Sequence, residues 1–211
     1  MRRLILFSLF SGLLTQAQSF LESHGQGYIG GGFTTPLSDF GNRHNTGWNF
    51  LAGGGYRFNT ALSLNVEYSY NHMDYGYAAT TPIGGILNAR YDGHTELHGF
   101  TLNPRYNVGH YKGANTYFTA GYGIYARKFQ LTRPAVGTTV ICDPYWFYCG
   151  TAIVPVDLIL GERTTWKQGW NAGMGVEMGG RVKFFADARY LWVANPNVRI
   201  QSIPVTFGVH F

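Results

Sequence analysis

The stretch Ile203–Phe211 reads IPVTFGVHF. Ile203, Val205, Phe207, Val209 and Phe211 take one set of alternate positions, and Ser202, Pro204, Thr206, Gly208 and His210 take the other. Alternation with period two belongs to a strand with one apolar and one polar face. Here the apolar row runs to the last residue, where soluble domains usually trail off in polar, poorly ordered chain. Which of the two faces meets water decides the fold.

Other segments repeat the pattern. LSLNVEYSYN sets Leu62, Leu64, Val66, Tyr68 and Tyr70 against Ser63, Asn65, Glu67, Ser69 and Asn71. VKFFADARYLW sets Val182, Phe184, Ala186, Ala188, Tyr190 and Trp192 against Lys183, Phe185, Asp187, Arg189 and Leu191. Five further segments, 25–33, 47–58, 96–107, 116–128 and 166–178, fit less cleanly, and in the glycine-rich first one the faces are not assignable. Eight strands result. The connections 34–46, 59–61, 72–95, 108–115, 129–165, 179–181 and 194–201 alternate long and short, as do the external loops and periplasmic turns of outer-membrane barrels. An even strand number puts both barrel ends on the periplasmic side.

Composition narrows the class. Charged residues are 13% of the chain, against roughly 25% in an average soluble domain, while aromatics reach 17% and glycines number 29. Mean hydropathy is −0.11, and beyond the leader no apolar run is long enough for a helical span. The leader itself, Arg2 and Arg3 followed by LILFSLFSGLL and TQA, has the three parts of a secretory signal with cleavage expected after Ala17. The expected organisation is a signal peptide over 1–17, a short segment over 18–24 and one barrel domain over 25–211. Losing Arg2 and Arg3 lowers the formal charge from +5 to +3, a surplus too weak and scattered for a nucleic-acid partner.

A soluble eight-stranded barrel has the same period with its faces reversed. The polar face decides between them: it carries Gly, Ser, Asn and Thr with isolated charges, where a water-facing surface would carry many Lys and Glu. The apolar face is continuous, with Trp48, Tyr70, Trp166, Tyr190 and Trp192 near strand ends as interfacial girdles. The expectation is an all-β, eight-stranded antiparallel up-and-down transmembrane β-barrel, with short periplasmic turns and long extracellular loops. At this point GQGYIGGGF, LNVEYSY, FTLNPRYNVG, YFTAGYGIY, FFADARYLW and above all IPVTFGVHF make the chain resemble the small outer-membrane barrels of the OmpA/OmpX type. The resemblance implies location in the cell outer membrane with lipid as the surrounding partner. It also implies that Val205, Phe207, Val209 and Phe211 form the C-terminal signal read by the barrel-assembly machinery. With nothing after Phe211, a peptidoglycan-binding domain is not expected.

Several constellations bear on function. Glu67, Arg105, Arg127, Glu177, Lys183, Asp187 and Arg189 fall on inward positions, where charges must pair because an unpaired buried charge costs several kcal/mol. They would form either a structural plug or a narrow gated conductance. Cys142 and Cys149 bracket DPYWFY in the longest loop and, in an exported chain, read as one disulfide. The flanking TTVIC and TAIVPVDLIL could pair as a hairpin above the membrane. Tyr145, Trp146, Phe147 and Tyr148 would then form an aromatic tip, either contacting an extracellular protein or glycan or packing onto neighbouring loops. His72, Asp74, Asp92 and His94 lie at the outer ends of strands three and four, as ligands for a divalent cation, as positioners of water, or as a solvated rim.

Two motifs carry nothing. Gly25, Gly27 and Gly30 match G-x-G-x-x-G without the strand before and helix after that a dinucleotide needs. His94 and His98 of HTELH stand ~13 Å apart on a strand, too far to share one metal. No cofactor is expected. Ser202 and His210 are ~26 Å apart on one strand, and no nucleophile–base pair converges. A non-enzymatic barrel with a structural or surface-binding role is therefore expected, ahead of a narrow pore or a barrel hydrolase acting on lipid or peptide. Two extra membrane strands within 129–165 are disfavoured by Pro134, Pro144, Pro155 and Asp157.

Overall fold

The computed structural model describes residues 24–76, 92–111, 113–143, 148–194 and 199–211. The expected leader over 1–17 and residues 18–23 lie outside this range. The strands are β1 (Gly25–Pro36), β2 (Gly47–Arg57), β3 (Leu62–Asp74), β4 (Asp92–Tyr111), β5 (Ala114–Asp143), β6 (Tyr148–Gly179), β7 (Lys183–Val193) and β8 (Ile200–His210), with a four-residue helix α1 (Ser38–Gly41) after β1. Each strand pairs antiparallel with its neighbour in sequence, and β1 pairs with β8, closing the barrel. The seam is extended at the periplasmic end by two 2.8 Å backbone hydrogen bonds between Gly27 and Phe211.

The two-residue period sorts the side chains as expected. Ser63, Asn65, Glu67 and Asn71 of β3 are buried in the lumen, while Leu62 and Val66 face outward and are exposed. Asp187, Arg189, Ser202, Thr206 and His210 are buried; Phe184, Phe207 and Phe211 are exposed. β1 acquires the faces its glycines obscured, with Tyr28 and Thr34 buried inward and Ile29 and Phe33 outward. The exposed outer band, with Val66, Phe100, Leu102, Phe118, Tyr122, Ile124 and Met174 among its members, is the surface that lipid covers.

Glycines of the wall make room for lumen rings. A Cβ on Gly53 would stand 2.5 Å from the Tyr28 ring, one on Gly99 2.5 Å from Tyr125, one on Gly175 2.4 Å from Tyr117, and one on Gly208 2.7 Å from Phe185. Each large inward ring thus lies across a glycine of a neighbouring strand, the only residue with no side chain to collide with it.

Three expectations about element lengths are corrected. The 108–115 connection shortens, because β4 and β5 continue pairing to Tyr111↔Ala114 across a bulge at Asn107/Gly109. The 194–201 loop shortens because β8 begins at Ile200. The largest difference is 129–165, which is strand for most of its length. β5 and β6 pair continuously from Ala114↔Met178 to Asp143↔Tyr148, whereas β4 leaves β5 at Asp92↔Thr132 and β7 leaves β6 at Gly169↔Val193. Beyond Thr132 the two strands pair, among the described residues, only with each other, as a ribbon that projects ~35 Å at ~3.3 Å per residue. Pro134 and Pro155 lie within it. They are tolerated because both strands of a two-stranded ribbon are edges, where a missing N–H need cost no ladder bond. The barrel count stays at eight.

Replacing Gly175 by Ala should lower stability by about 1–3 kcal/mol through overpacking against Tyr117. A Gly175→Ala/Tyr117→Leu double variant should recover part of the loss, both read as shifts in the urea midpoint of protein refolded in detergent micelles.

Candidate functional site

Three groups of residues outside the plain lipid-facing wall could carry function: the lumen, its outer mouth with the ribbon, and the outer rim of β3 and β4.

The lumen side chains stack in layers set by strand register. Nearest the periplasm, Glu177 accepts hydrogen bonds from Arg105, from Lys183 Nζ at 2.8 Å and from Asn115 Nδ2 at 3.1 Å, and its Oε2 lies 3.0 Å from His210 Nδ1. The Arg105 guanidinium sits 3.6 Å from the Tyr117 ring centroid. In the next layer Arg189 pairs with Glu67 and donates to Asp187 Oδ2 through Nη2 at 2.6 Å and Nε at 3.0 Å. Tyr28 donates to Glu67, and Tyr117 donates to Asp187 at 3.3 Å. Three carboxylates (Glu67, Glu177, Asp187) thus meet three permanent cations (Arg105, Lys183, Arg189). Breaking such buried pairs one-sidedly costs about 3–5 kcal/mol, since the partner charge is left stranded. Above them lies a neutral amide–hydroxyl layer in which Thr34 donates to Asn71 at 2.7 Å and Thr206 to Asn49 at 3.1 Å. Two cavities lie among these layers, about 30 Å³ and about 10 Å³, space for one or two waters.

Arg127 is not part of that charge network, contrary to the expectation from its inward position. It stands at the extracellular mouth, its guanidinium 5.9 Å from the Phe40 ring and 5.8 Å from the Phe129 ring, with Tyr75 as a hydrogen-bond partner. Here α1 folds Phe40 into an apolar cluster with Met73, Leu97, Tyr125, Leu191, Val193 and Ile200. His44 stacks on Phe40 with centroids 4.0 Å apart. Its Nδ1–H donates to Phe40 O at 3.0 Å, and Nε2 accepts from Thr95 Oγ1 at 3.0 Å. Nothing in the local sequence marked Phe40 as a lumen residue, since it comes from a connection and not from a strand.

The ribbon carries a disulfide between Cys142 and Cys149, which are directly opposed in the β5–β6 register. On the same face as the disulfide, Val136, Val140 and Ile153 are 76%, 63% and 77% exposed. Tyr148 opens β6; Tyr145, Trp146 and Phe147 of the expected aromatic tip lie outside the described residues.

On the outer rim, register sets Asp74 opposite His94, His72 opposite Glu96 and Tyr70 opposite His98, all on the outward face. His72 Nε2 lies 3.2 Å from Asp74 Oδ1, and His94 Nε2 lies 3.8 Å from Glu96 Oε1. Tyr70 donates to Glu96 at 3.0 Å. Asp92 is the first residue of β4, and its side chain lies outside the description. Glu96 joins this group although the sequence pattern alone did not single it out; pairing β3 with β4 in register was the missing step.

A closed eight-stranded barrel with an apolar outer band, girdle aromatics and a polar lumen is a transmembrane outer-membrane barrel. Comparison with known proteins agrees: the chain belongs to the outer membrane protein beta-barrel domain family, whose model matches residues 5–211. Among solved structures, Neisserial surface protein A is similar at 13% identity and TM-score 0.51, covering 88% of this chain and 95% of that one. Ail of Yersinia pestis is similar at 14% identity and TM-score 0.45, covering 89% and 99%. The N-terminal barrel of Pseudomonas aeruginosa OprF is similar at 13% identity and TM-score 0.41, covering 89% and 98%. No curated protein sequence matches.

His44 lies in the extracellular connection after α1, and burial pushes its imidazole down to about 4; the hydrogen bond to Phe40 O opposes this, while Arg127 and Arg43 add to it. The unfolded imidazole titrates near ~6.5, so on acidification the unfolded chain takes up the proton first. The contribution of His44 to stability is full above about pH 6.5 and is lost as pH falls toward about 4. The urea midpoint of refolded protein should therefore drop from pH 7 to pH 5, and His44→Asn should flatten that part of the profile.

Proposed function

We propose that this outer-membrane protein is a non-conducting, non-enzymatic barrel that binds an extracellular protein through the β5–β6 ribbon. The observation that carries the reading is the ribbon itself. Among the described residues it projects beyond its neighbours with two unpaired edges, and its register is fixed by a cross-strand disulfide. Val136, Val140 and Ile153 are largely exposed on one face. Unpaired strand edges offer backbone donors and acceptors to an incoming extended segment, and apolar side chains at alternate positions give that segment pockets. A glycan would want a polar, charge-bearing surface, and from Arg133 to Asp143 and from Tyr148 to Leu160 the charged residues are Arg133, Asp143 and Asp157. A protein partner fits better.

The paired lumen carboxylates, the small cavities and the apolar cluster around Phe40 support a barrel whose interior serves stability and not passage. A non-catalytic role is supported by the hydroxyl–imidazole contacts among the described residues. Thr95–His44 is buried at the mouth, and Tyr68–His98 joins a phenol to a ring on the outer face. The first has no carboxylate contact on its imidazole, and in the second Glu96 stands 3.9 Å from His98 Nε2, beyond hydrogen-bond reach, so neither presents the oriented base and activated nucleophile that acyl chemistry needs. Export by the leader 1–17 belongs to this reading. So does recognition of Val205, Phe207, Val209 and Phe211 by the assembly machinery; the shared outward direction of that row supports the latter.

Cells displaying the wild-type protein should adhere to at least one of a panel of immobilised serum and matrix proteins. A Val136→Lys/Val140→Lys/Ile153→Lys variant at equal surface level should lose most of that adhesion; equal adhesion would sink the ribbon reading. In planar bilayers the refolded wild type should show no stable channels, and reproducible conductance steps would overturn the non-conducting one.

A further inference from the structure

The rim of β3 and β4 holds a group of side chains that neither the barrel wall nor the ribbon explains. Outward positions at this height should carry aromatics or apolar residues, as Trp48, Tyr68 and Tyr70 do. Instead His72, His94 and Glu96 point outward together, about one-fifth to one-quarter exposed. One ligand atom from each lies within 4.8 Å of the others. The rings of His72 and His94 have centroids 4.9 Å apart.

From this geometry we infer a binding site for a zinc-class divalent metal ion formed by His72, His94 and Glu96, with Asp74 as a positioning residue. Three features carry the assignment. First, the groups converge without bonding one another. The 3.8 Å from His94 Nε2 to Glu96 Oε1 exceeds a hydrogen bond, yet it is close to the ~3.4 Å edge of a tetrahedron built on ~2.1 Å metal–ligand bonds.

Second, His72 has a free ring nitrogen in an unusual state. Its Nε2 lies 3.2 Å from the Asp74 carboxylate, which can only accept, so Nε2 carries a proton and, in the neutral ring, the lone pair falls on Nδ1. That Nδ1 is buried and has no hydrogen-bond partner. A carboxylate holding one nitrogen of an imidazole while the other is left basic is the arrangement that orients metal-bound histidines. Third, Glu96 is steadied by the Tyr70 hydroxyl at 3.0 Å, with its second oxygen 3.9 Å from His98 Nε2.

Two imidazoles and one carboxylate select borderline ions of the zinc, cobalt or nickel kind over calcium or magnesium, which prefer oxygen donors. Three protein ligands leave a fourth position open. The site stands beside Trp48, whose ring is 5.8 Å from that of His72, at the level of the aromatic girdle. The ion would also tie β3 to β4 across their last register pairs, where Asp74↔His94 ends the ladder.

The test uses untagged full-length protein refolded in micelles and stripped with chelator. Cobalt(II) should bind one per chain with the intense visible bands of a four-coordinate site, and zinc should displace it. His72→Ala and His94→Ala should each weaken zinc binding at least tenfold, Asp74→Asn about 10-fold, and His24→Ala, at the far end of the barrel, not at all. Zinc should raise the urea midpoint of the wild type but not of His72→Ala/His94→Ala, a readout valid for any variant that folds. Absence of cobalt bands in the wild type would overturn the site, as would unchanged zinc affinity in the double variant. Calcium binding as tightly as zinc would overturn the imidazole coordination, and unchanged affinity in Asp74→Asn would remove the role given to Asp74.

Discussion

Everything in this barrel follows from the backbone polar groups in lipid, which have no water to bond and must all be paired within the protein. A sheet meets that demand only by closing on itself, and here closure rests on the β1–β8 seam. The seam is built from poor side-chain material: Gly30, Gly31 and Gly32 on β1 face Gly208, Phe207 and Thr206 on β8. What it offers instead is close approach. A Cβ on Gly32 would stand 2.0 Å from Val205 O, and one on Gly27 would stand 2.7 Å from the Phe211 ring. The terminal phenylalanine is therefore both the last outward side chain and the ring that lies over the start of β1.

Closure with eight strands creates a second constraint, an interior only wide enough for side chains. The chain meets it by pairing large with absent. Tyr28, Tyr117, Tyr125 and Phe185 lie over glycines, and the remaining volume is divided between ion pairs below and an apolar cluster above. The charges sit toward the periplasmic side, so Arg189 and Arg105 are compensated within their own layers. The extracellular mouth is left to Phe40, which arrives from α1.

The barrel was legible because its signal is repeated eight times with period two. Faces assigned from Leu62–Asn71, from Val182–Trp192 and from the C-terminal strand agree with the burial found there. The ribbon was partly legible: TTVIC and TAIVPVDLIL read as a hairpin, but its continuity with β5 and β6 was hidden. Prolines, and a bulge at Leu131/Thr132 that shifts the phase, break the alternation where pairing does not break. Arg127 misled because inward direction says nothing of height, and only register places it beside Phe40 and not Glu67. Glu96 was missed for the opposite reason. It lies on an outward row, and its neighbours His72 and His94 are brought to it by a strand pairing that spacing across a long loop cannot supply.

The same register argument separates the two surfaces with functional character. The ribbon is bounded by the residues at which β4 and β7 stop, Asp92 and Val193. Past those points β5 and β6 keep their mutual ladder but, among the described residues, no longer pair with β4 or β7. Two-stranded ribbons are marginal in water on their own, so this one needs added support, and it has two sources. The barrel fixes its base through the continuous β5–β6 pairing, and the Cys142–Cys149 bridge fixes its far end at directly opposed positions. A segment held at both ends can keep apolar side chains such as Val136, Val140 and Ile153 exposed between them without collapsing onto the wall.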